Sequence, residues 1–301
     1  MLQVAFDPIY VHPVPEGHRF PMLKYELIPE QLLYEGVLGP HQLFRPGSLD
    51  EFYVLLTHDS VYWKRLKTGQ LTEKERRRTG FLWSEELVLR EQRIVQGTIE
   101  GCDYALKAGV SFNIAGGTHH AGSHWGEGFC LLNDQAIGAH YLLHQQKASK
   151  ILMIDLDVHQ GNGTAEIFKD EPRVFTFSMH CQKNFPFKKE QSDLDIGLAE
   201  GMGDDEYLDI LESHLVPLIE RVKPDFIFYL AGVDVLSTDK LGWLSLSKIG
   251  CRERDERVFD ACKQFGLPVQ VSMGGGYSPL IKDIVDAHCN TFKAAMDRLW
   301  P

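Results

Sequence analysis

Five short apolar runs, each followed at once by polar residues, restrict the fold most. They are Val110–Ala115 (VSFNIA), Ile151–Asp155 (ILMID), Val174–Ser178 (VFTFS), Phe226–Ala231 (FIFYLA) and Val269–Met273 (VQVSM). Runs this continuous, rich in β-branched and aromatic residues, suit strands buried on both faces of a parallel sheet. Between them the apolar spacing turns helical. Asp204-Asp205-Glu206 opens one helix, since acidic residues are favoured at a helix N-terminus, and Tyr207, Leu208, Leu211, Leu215, Leu218, Ile219 and Val222 continue it. Glu85 to Leu106 and Leu280 to Leu299 read similarly, and Thr72–Arg78 (TEKERRR) reads as a solvated loop or helix start. Strands alternating with helices imply βαβ units with right-handed crossovers. No linker or repeat interrupts the pattern, so the expectation is a single α/β domain over residues 1–301.

The polar clusters then fall in one place. Gly116-Gly117-Thr118-His119-His120 follows the first run and Asp155-Leu156-Asp157-Val158-His159 ends the second. Ser178-Met179-His180 ends the third, Asp234 follows the fourth, and Gly274-Gly275-Gly276-Tyr277 follows the fifth. Parallel sheets bind ligands at the carboxyl ends of their strands, so this convergence predicts an active site. Asp157 and His159 are two residues apart and would share a direction on a strand, with Asp234 supplied by a neighbouring strand end. One imidazole and two carboxylates suit a divalent ion with an open coordination position. Taken alone, the DxDxH pattern suits helix caps and core hydrogen bonds as well. His119-His120 offers two imidazoles for acid–base work near neutral pH, or merely a solvated loop. Tyr277 could present its hydroxyl to a developing oxyanion, although a tyrosine after glycines also fits an ordinary turn.

Composition excludes some classes. The formal net charge is -11, which disfavours nucleic acid and anionic membrane as partners. It leaves room for cationic substrates such as lysine-rich tails or polyamines. The six cysteines form no CxxC pair, which argues against a disulfide scaffold or thiolate zinc site. The N-terminal segment lacks a secretory pattern, and no apolar run approaches the roughly 18 residues of a membrane span. A reducing cytoplasm is expected.

The segments GGTHHAGSHWGEGFCLLND, DLDVHQGNGT, FSMH, AGVDVLSTDKLGWLSLS and MGGGY occur in the order found in classical zinc-dependent histone deacetylases. The chain resembles that family, most of all its class IV branch and bacterial relatives, from about Phe6 to the C-terminal helix. DVHQGNGT, with Gln160 and Asn162, carries the class IV likeness, as does GMGDDEYLD before PDFIFYLAG. The resemblance implies an arginase-like α/β/α fold with a central, mostly parallel sheet of about eight strands. It implies one zinc on Asp157, His159 and Asp234. His120 would be the general base, with His119 beside it, Asp155 bonded to His119, and Asn162 orienting His120. Tyr277 would donate to the substrate carbonyl. An asparagine at 162 lacks the negative charge of an aspartate there, which bears on the basicity of His120.

The family likeness also implies a structural potassium site on Asp155 and Ser178, with backbone oxygens of Asp157, His159 and Met179. It places Gly128, Phe129, Phe187, Leu241 and Gly275 along a substrate tunnel, with Phe129 and Phe187 as facing walls and Leu241 at the rim. Arg19 would stand near an internal product channel, or else on the surface. Thr118 and Trp243 depart from the usual pattern near the tunnel. The implied reaction is hydrolysis of acetyl or longer acyl groups from lysine side chains in a protein or peptide. An acylpolyamine or other small-amine amidohydrolase is the alternative. A two-metal arginase would need more paired ligands, and an inactive acyl-lysine-binding module would lack one of the named residues. His12, His18, His41, His58, His124, His140, His144, His214 and His288 match no catalytic position and read as structural or surface residues.

Overall fold

The computed structural model describes residues 1–299, so Trp300 and Pro301 of the expected 1–301 domain lie outside the described residues. Its strands are β1 (Gln3–Ala5), β2 (Leu43–Phe44), β3 (Val110–Asn113), β4 (Ile151–Asp155), β5 (Val174–Cys181), β6 (Leu194–Leu198), β7 (Phe226–Leu230) and β8 (Val269–Ser272). They form one eight-stranded sheet in the order β2-β1-β3-β8-β7-β4-β5-β6. Every pairing is parallel. All five expected runs are strands, and all residues of β3, β4, β7 and β8 are buried. This burial on both faces is why their sequences are continuously apolar.

Two groups of helices flank the sheet. Glu85–Ala108 packs against β1, β3 and β8 and against the helix Asp134–His144. Ile281–Leu299, Lys248–Phe265, Lys24–Tyr34 and Asp204–Val222 pack together in a second group. Thr72–Arg78 resolves into a helix start: Thr72 caps the helix Glu73–Thr79 in a reciprocal capping box with Glu75. One contiguous core runs through the described residues.

The central strands β3, β8, β7 and β4 are neighbours, and their carboxyl ends carry the polar clusters. One local expectation needs correction. Asp157 and His159 do not sit on a strand, because β4 ends at Asp155. The Asp155 side chain accepts a hydrogen bond from the Asp157 amide at 3.2 Å, and Asp157 accepts from the His159 amide at 3.0 Å. These short side-chain-to-backbone bonds offer the chain an alternative to the ladder, turning it at the sheet edge. The two side chains still converge.

Candidate active site

Each histidine of the pair has its own buried anchor. His119 Nδ1 meets Asp155 Oδ2 at 2.7 Å, and His120 Nδ1 meets Asn162 Oδ1 at 2.7 Å. The Asn162 amide donates to Glu127 Oε1 at 2.6 Å, so its oxygen is the atom turned to His120. His120 Nδ1 is therefore the donor, leaving Nε2 unprotonated. The rings lie 4.1 Å apart between centroids. Burial, then the neighbouring His119 and His159, pushes the His120 pKa well below the usual histidine value. Burial also acts on His119, but the carboxylates of Asp155 and Asp157 outweigh it and raise its pKa. One imidazole is thus kept neutral beside one that favours the charged form. Asp134 pins the loop that carries them, accepting from the Gly117 and Thr118 amides at 2.8 and 3.0 Å.

Asp157, His159 and Asp234 form a nest of buried donors, with one ligand atom of each lying within 4.8 Å of the others. The second oxygens of the carboxylates are tied back. Asp234 Oδ1 accepts from the Val158 amide at 3.0 Å, and Asp157 Oδ2 from the Gly275 amide at 2.9 Å. Asp234 Oδ2 is buried without a hydrogen-bond partner. Burial and the repulsion of Asp157 raise the Asp234 pKa to about 7. His159 is pushed to about 10, because its bond to Asp157 and the charges of Asp157 and Asp234 beside it overcome its desolvation. The nest therefore favours positive charge, which a divalent cation supplies. Two glycines make the space. A Cβ on Gly275 would stand 1.9 Å from Asp234 Oδ2, and one on Gly232 2.3 Å from Asp157 Oδ2. A borderline ion such as zinc fits this set of one nitrogen and two carboxylates.

Tyr277 completes the pocket floor. Its amide donates to Asp239 Oδ2 at 2.5 Å, and its ring packs on Phe20 and Phe129 at 6.1 and 5.9 Å. Burial and the charges of Asp234 and Asp157 hold its hydroxyl well above the usual phenol pKa, so it remains a donor. Thr118, His119, His120, Gly128, Phe129, Gly275 and Tyr277 line one continuous pocket with Asp157 and His159.

A histone deacetylase domain model matches residues 18–292. The chain belongs to the histone deacetylase family. It is 47% identical over 294 residues to an uncharacterized protein of Picosynechococcus sp., covering 98% of each chain. It is 29% identical to histone deacetylase 2 of Arabidopsis thaliana, covering 86% of this chain and 70% of that one. A crystal structure of a histone deacetylase homologue complexed with SAHA superposes with a TM-score of 0.84 at 25% identity, covering 100% of this chain and 85% of the other.

In this deacetylase-family chain, one expected position needs correction. Phe187 is 82% exposed and stands at the outer mouth. The aromatic beside the reacting groups is Phe185, 4.9 Å from the His120 ring and 6.1 Å from that of His159. In NFPF the first phenylalanine turns inward and the second outward. Of the two readings of Arg19, the surface one holds: it is exposed at the mouth. Two cations are buried at the inner end: Arg90, which lines the pocket, and Lys24, whose ammonium donates to the Gly274 carbonyl at 2.8 Å, beside the rings of Phe20, Tyr25 and Tyr277. Desolvation lowers the Lys24 pKa to about 8, against the pull of Asp234 and Asp157. Arg90, Ile94 and Cys130 line the same inner end.

Leu241 and Trp243 line the mouth, and Thr118 turns its hydroxyl to Leu132 O and Asp134. Asp155 and Ser178 are register partners on β4 and β5. Several contributors carry no local signal in the sequence. Glu127, inside GEGF, accepts from Arg78 Nε at 2.5 Å as well as from Asn162. His58 is fully enclosed: its Nδ1 bonds the Gly122 carbonyl and its Nε2 accepts from the Asn133 amide, both at 3.0 Å. It thereby clasps the two ends of the loop that follows the histidine pair.

Proposed function

We propose that this chain hydrolyses N-acyl amides of amines, with acyl-lysine in a peptide or protein as substrate and one zinc ion held by Asp157, His159 and Asp234. The unpartnered, buried Asp234 Oδ2, facing Asp157 and His159 beside the anchored histidine pair, carries the reading. Zinc, when bound, supplies Lewis acidity to the acyl oxygen and to water. His120, kept neutral by burial and its histidine neighbours and turned by Asn162 so that Nε2 is free, takes the proton of the attacking water at Nε2. Tyr277 donates its hydroxyl proton in a hydrogen bond to the oxyanion formed as the C–O bond is made. The C–N bond then breaks, a protonated histidine returns a proton to the departing nitrogen, and a carboxylate and a free amine leave. His119, held towards the charged form by Asp155, keeps positive charge next to the oxyanion. Phe129 and Phe185 keep water from the acyl group.

A potassium ion held by Asp155 and Ser178, with the backbone oxygens of Asp157, His159 and Met179, would brace the turn after β4. A cytoplasmic setting is consistent with buried, free cysteines; no described helix is long and apolar enough to cross a membrane. The test is turnover of a fluorogenic acetyl-lysine peptide. Chelation should abolish it and stoichiometric zinc restore it. Turnover that survives complete metal removal overturns the mechanism.

A further inference from the structure

The mouth above the pocket has a charge opposite to that of the whole chain. Its lining includes Arg19, Arg77, Arg78 and Lys240, contributed by three separate segments. They come from the loop before Lys24, the end of the helix Glu73–Thr79, and the loop after β7. The one carboxylate in that lining is Glu127, which already holds Arg78 and Asn162. Arg77 pairs with the exposed Glu73, a contact worth little in solvent. Arg19 and Lys240 have no carboxylate within ion-pair distance among the described residues, and both are exposed. A chain of net charge -11 thus lines this opening with four cations and one carboxylate. Beside the cations stand Phe187, 82% exposed, and Trp243, 41% exposed.

Resting on the acyl-lysine reading above, we infer that the mouth selects acyl-lysine flanked by acidic and apolar residues. A polycationic tail or an acylated polyamine would bring its second charge against Arg19 and Lys240, with no carboxylate to receive it. An acidic flank meets them at a few ångströms, inside the screening length of roughly 8 Å at physiological salt. Such pairing acts on encounter and on binding, so it appears in kcat/KM and fades with salt. The exposed rings of Phe187 and Trp243 suit an apolar residue beside the acyl-lysine.

The measurement is kcat/KM for three peptides of equal length, with acetyl-lysine between two glutamates, two glutamines or two lysines, alongside N-acetylspermidine. The glutamate peptide should exceed the lysine peptide by on the order of tenfold at low salt, with the ratio falling towards one at 0.5 M. Arg19→Glu combined with Lys240→Glu should reverse the order; both residues are on the surface, and the unmodified enzyme decides the matter if the variant does not fold. Equal rates on all three peptides, or a preference for the lysine peptide or the polyamine, overturn the inference and leave amide hydrolysis standing. Turnover of none of them, with zinc supplied, removes the acyl-lysine reading and the inference with it.

Discussion

At the scale of single residues, the site separates groups that react from groups that hold. On the proposed mechanism, replacing His120 by alanine removes the base without touching the metal nest, so turnover should fall on the order of 10²–10⁴ while zinc binding is retained. Near-normal turnover would mean that another group takes the proton. Gly275→Ala acts in the opposite way. Its Cβ would fall 1.9 Å from Asp234 Oδ2, so zinc binding, read by competition with a chelating dye, should weaken more than tenfold. His58 links the loop to pH. Burial lowers its pKa to about 4, against roughly 6.5 in an unfolded chain. Its contribution is therefore complete above the unfolded value and is lost as pH falls through 6.5 towards 4. Unfolding measured across that window should be less steep by one proton in His58→Gln, and an unchanged slope would show that His58 is not the titrating group. The chemistry-bearing residues were readable because each cluster follows within a few residues of a buried strand. Lys24, His58 and Phe185 were not, because what makes them matter is a partner far away in sequence, such as Gly274 for Lys24.

At the scale of elements, legibility followed burial. β3, β4, β7 and β8 announce themselves because both faces are covered. β1 and β2 have only three and two residues, too few for a pattern. β6 lies at the sheet edge and is mostly half-exposed, so LDIGL carries no continuous run. The segment TEKERRR was ambiguous because its helix depends on a cap. Thr72 Oγ1 accepts from the Glu75 amide, and Glu75 reaches back to the Thr72 amide at 2.7 Å. Thr72→Ala should cost about 1 kcal/mol. Its effect should reach the tunnel, because the Gly128 and Phe129 amides donate to the Arg78 and Thr79 carbonyls at 3.1 and 3.0 Å. KM for a peptide should rise more than zinc affinity changes; parallel loss of both would contradict the separation.

At the scale of the molecule, the active site draws on two foundations. The nest of Asp157, His159 and Asp234 stands on the adjoining ends of β4 and β7, in the middle of the sheet. The wall that Phe129 forms is suspended elsewhere. Phe129 has φ +67°, a left-handed conformation that costs a non-glycine residue roughly 1–2 kcal/mol. Its ring packs on Phe20, Phe81 and Tyr277, and the backbone at 128–129 is tied by a pair of bonds to a two-turn helix on the rim. Gentle warming should then slacken the acyl pocket while the cation seat beneath stays shut. Deuterium should enter the amides of Gly128 and Phe129 together with those of Glu73–Thr79, long before it enters β4 and β7. The enzyme would lose its grip on substrate first and its metal last, like a lock whose keyhole plate works loose before the bolt.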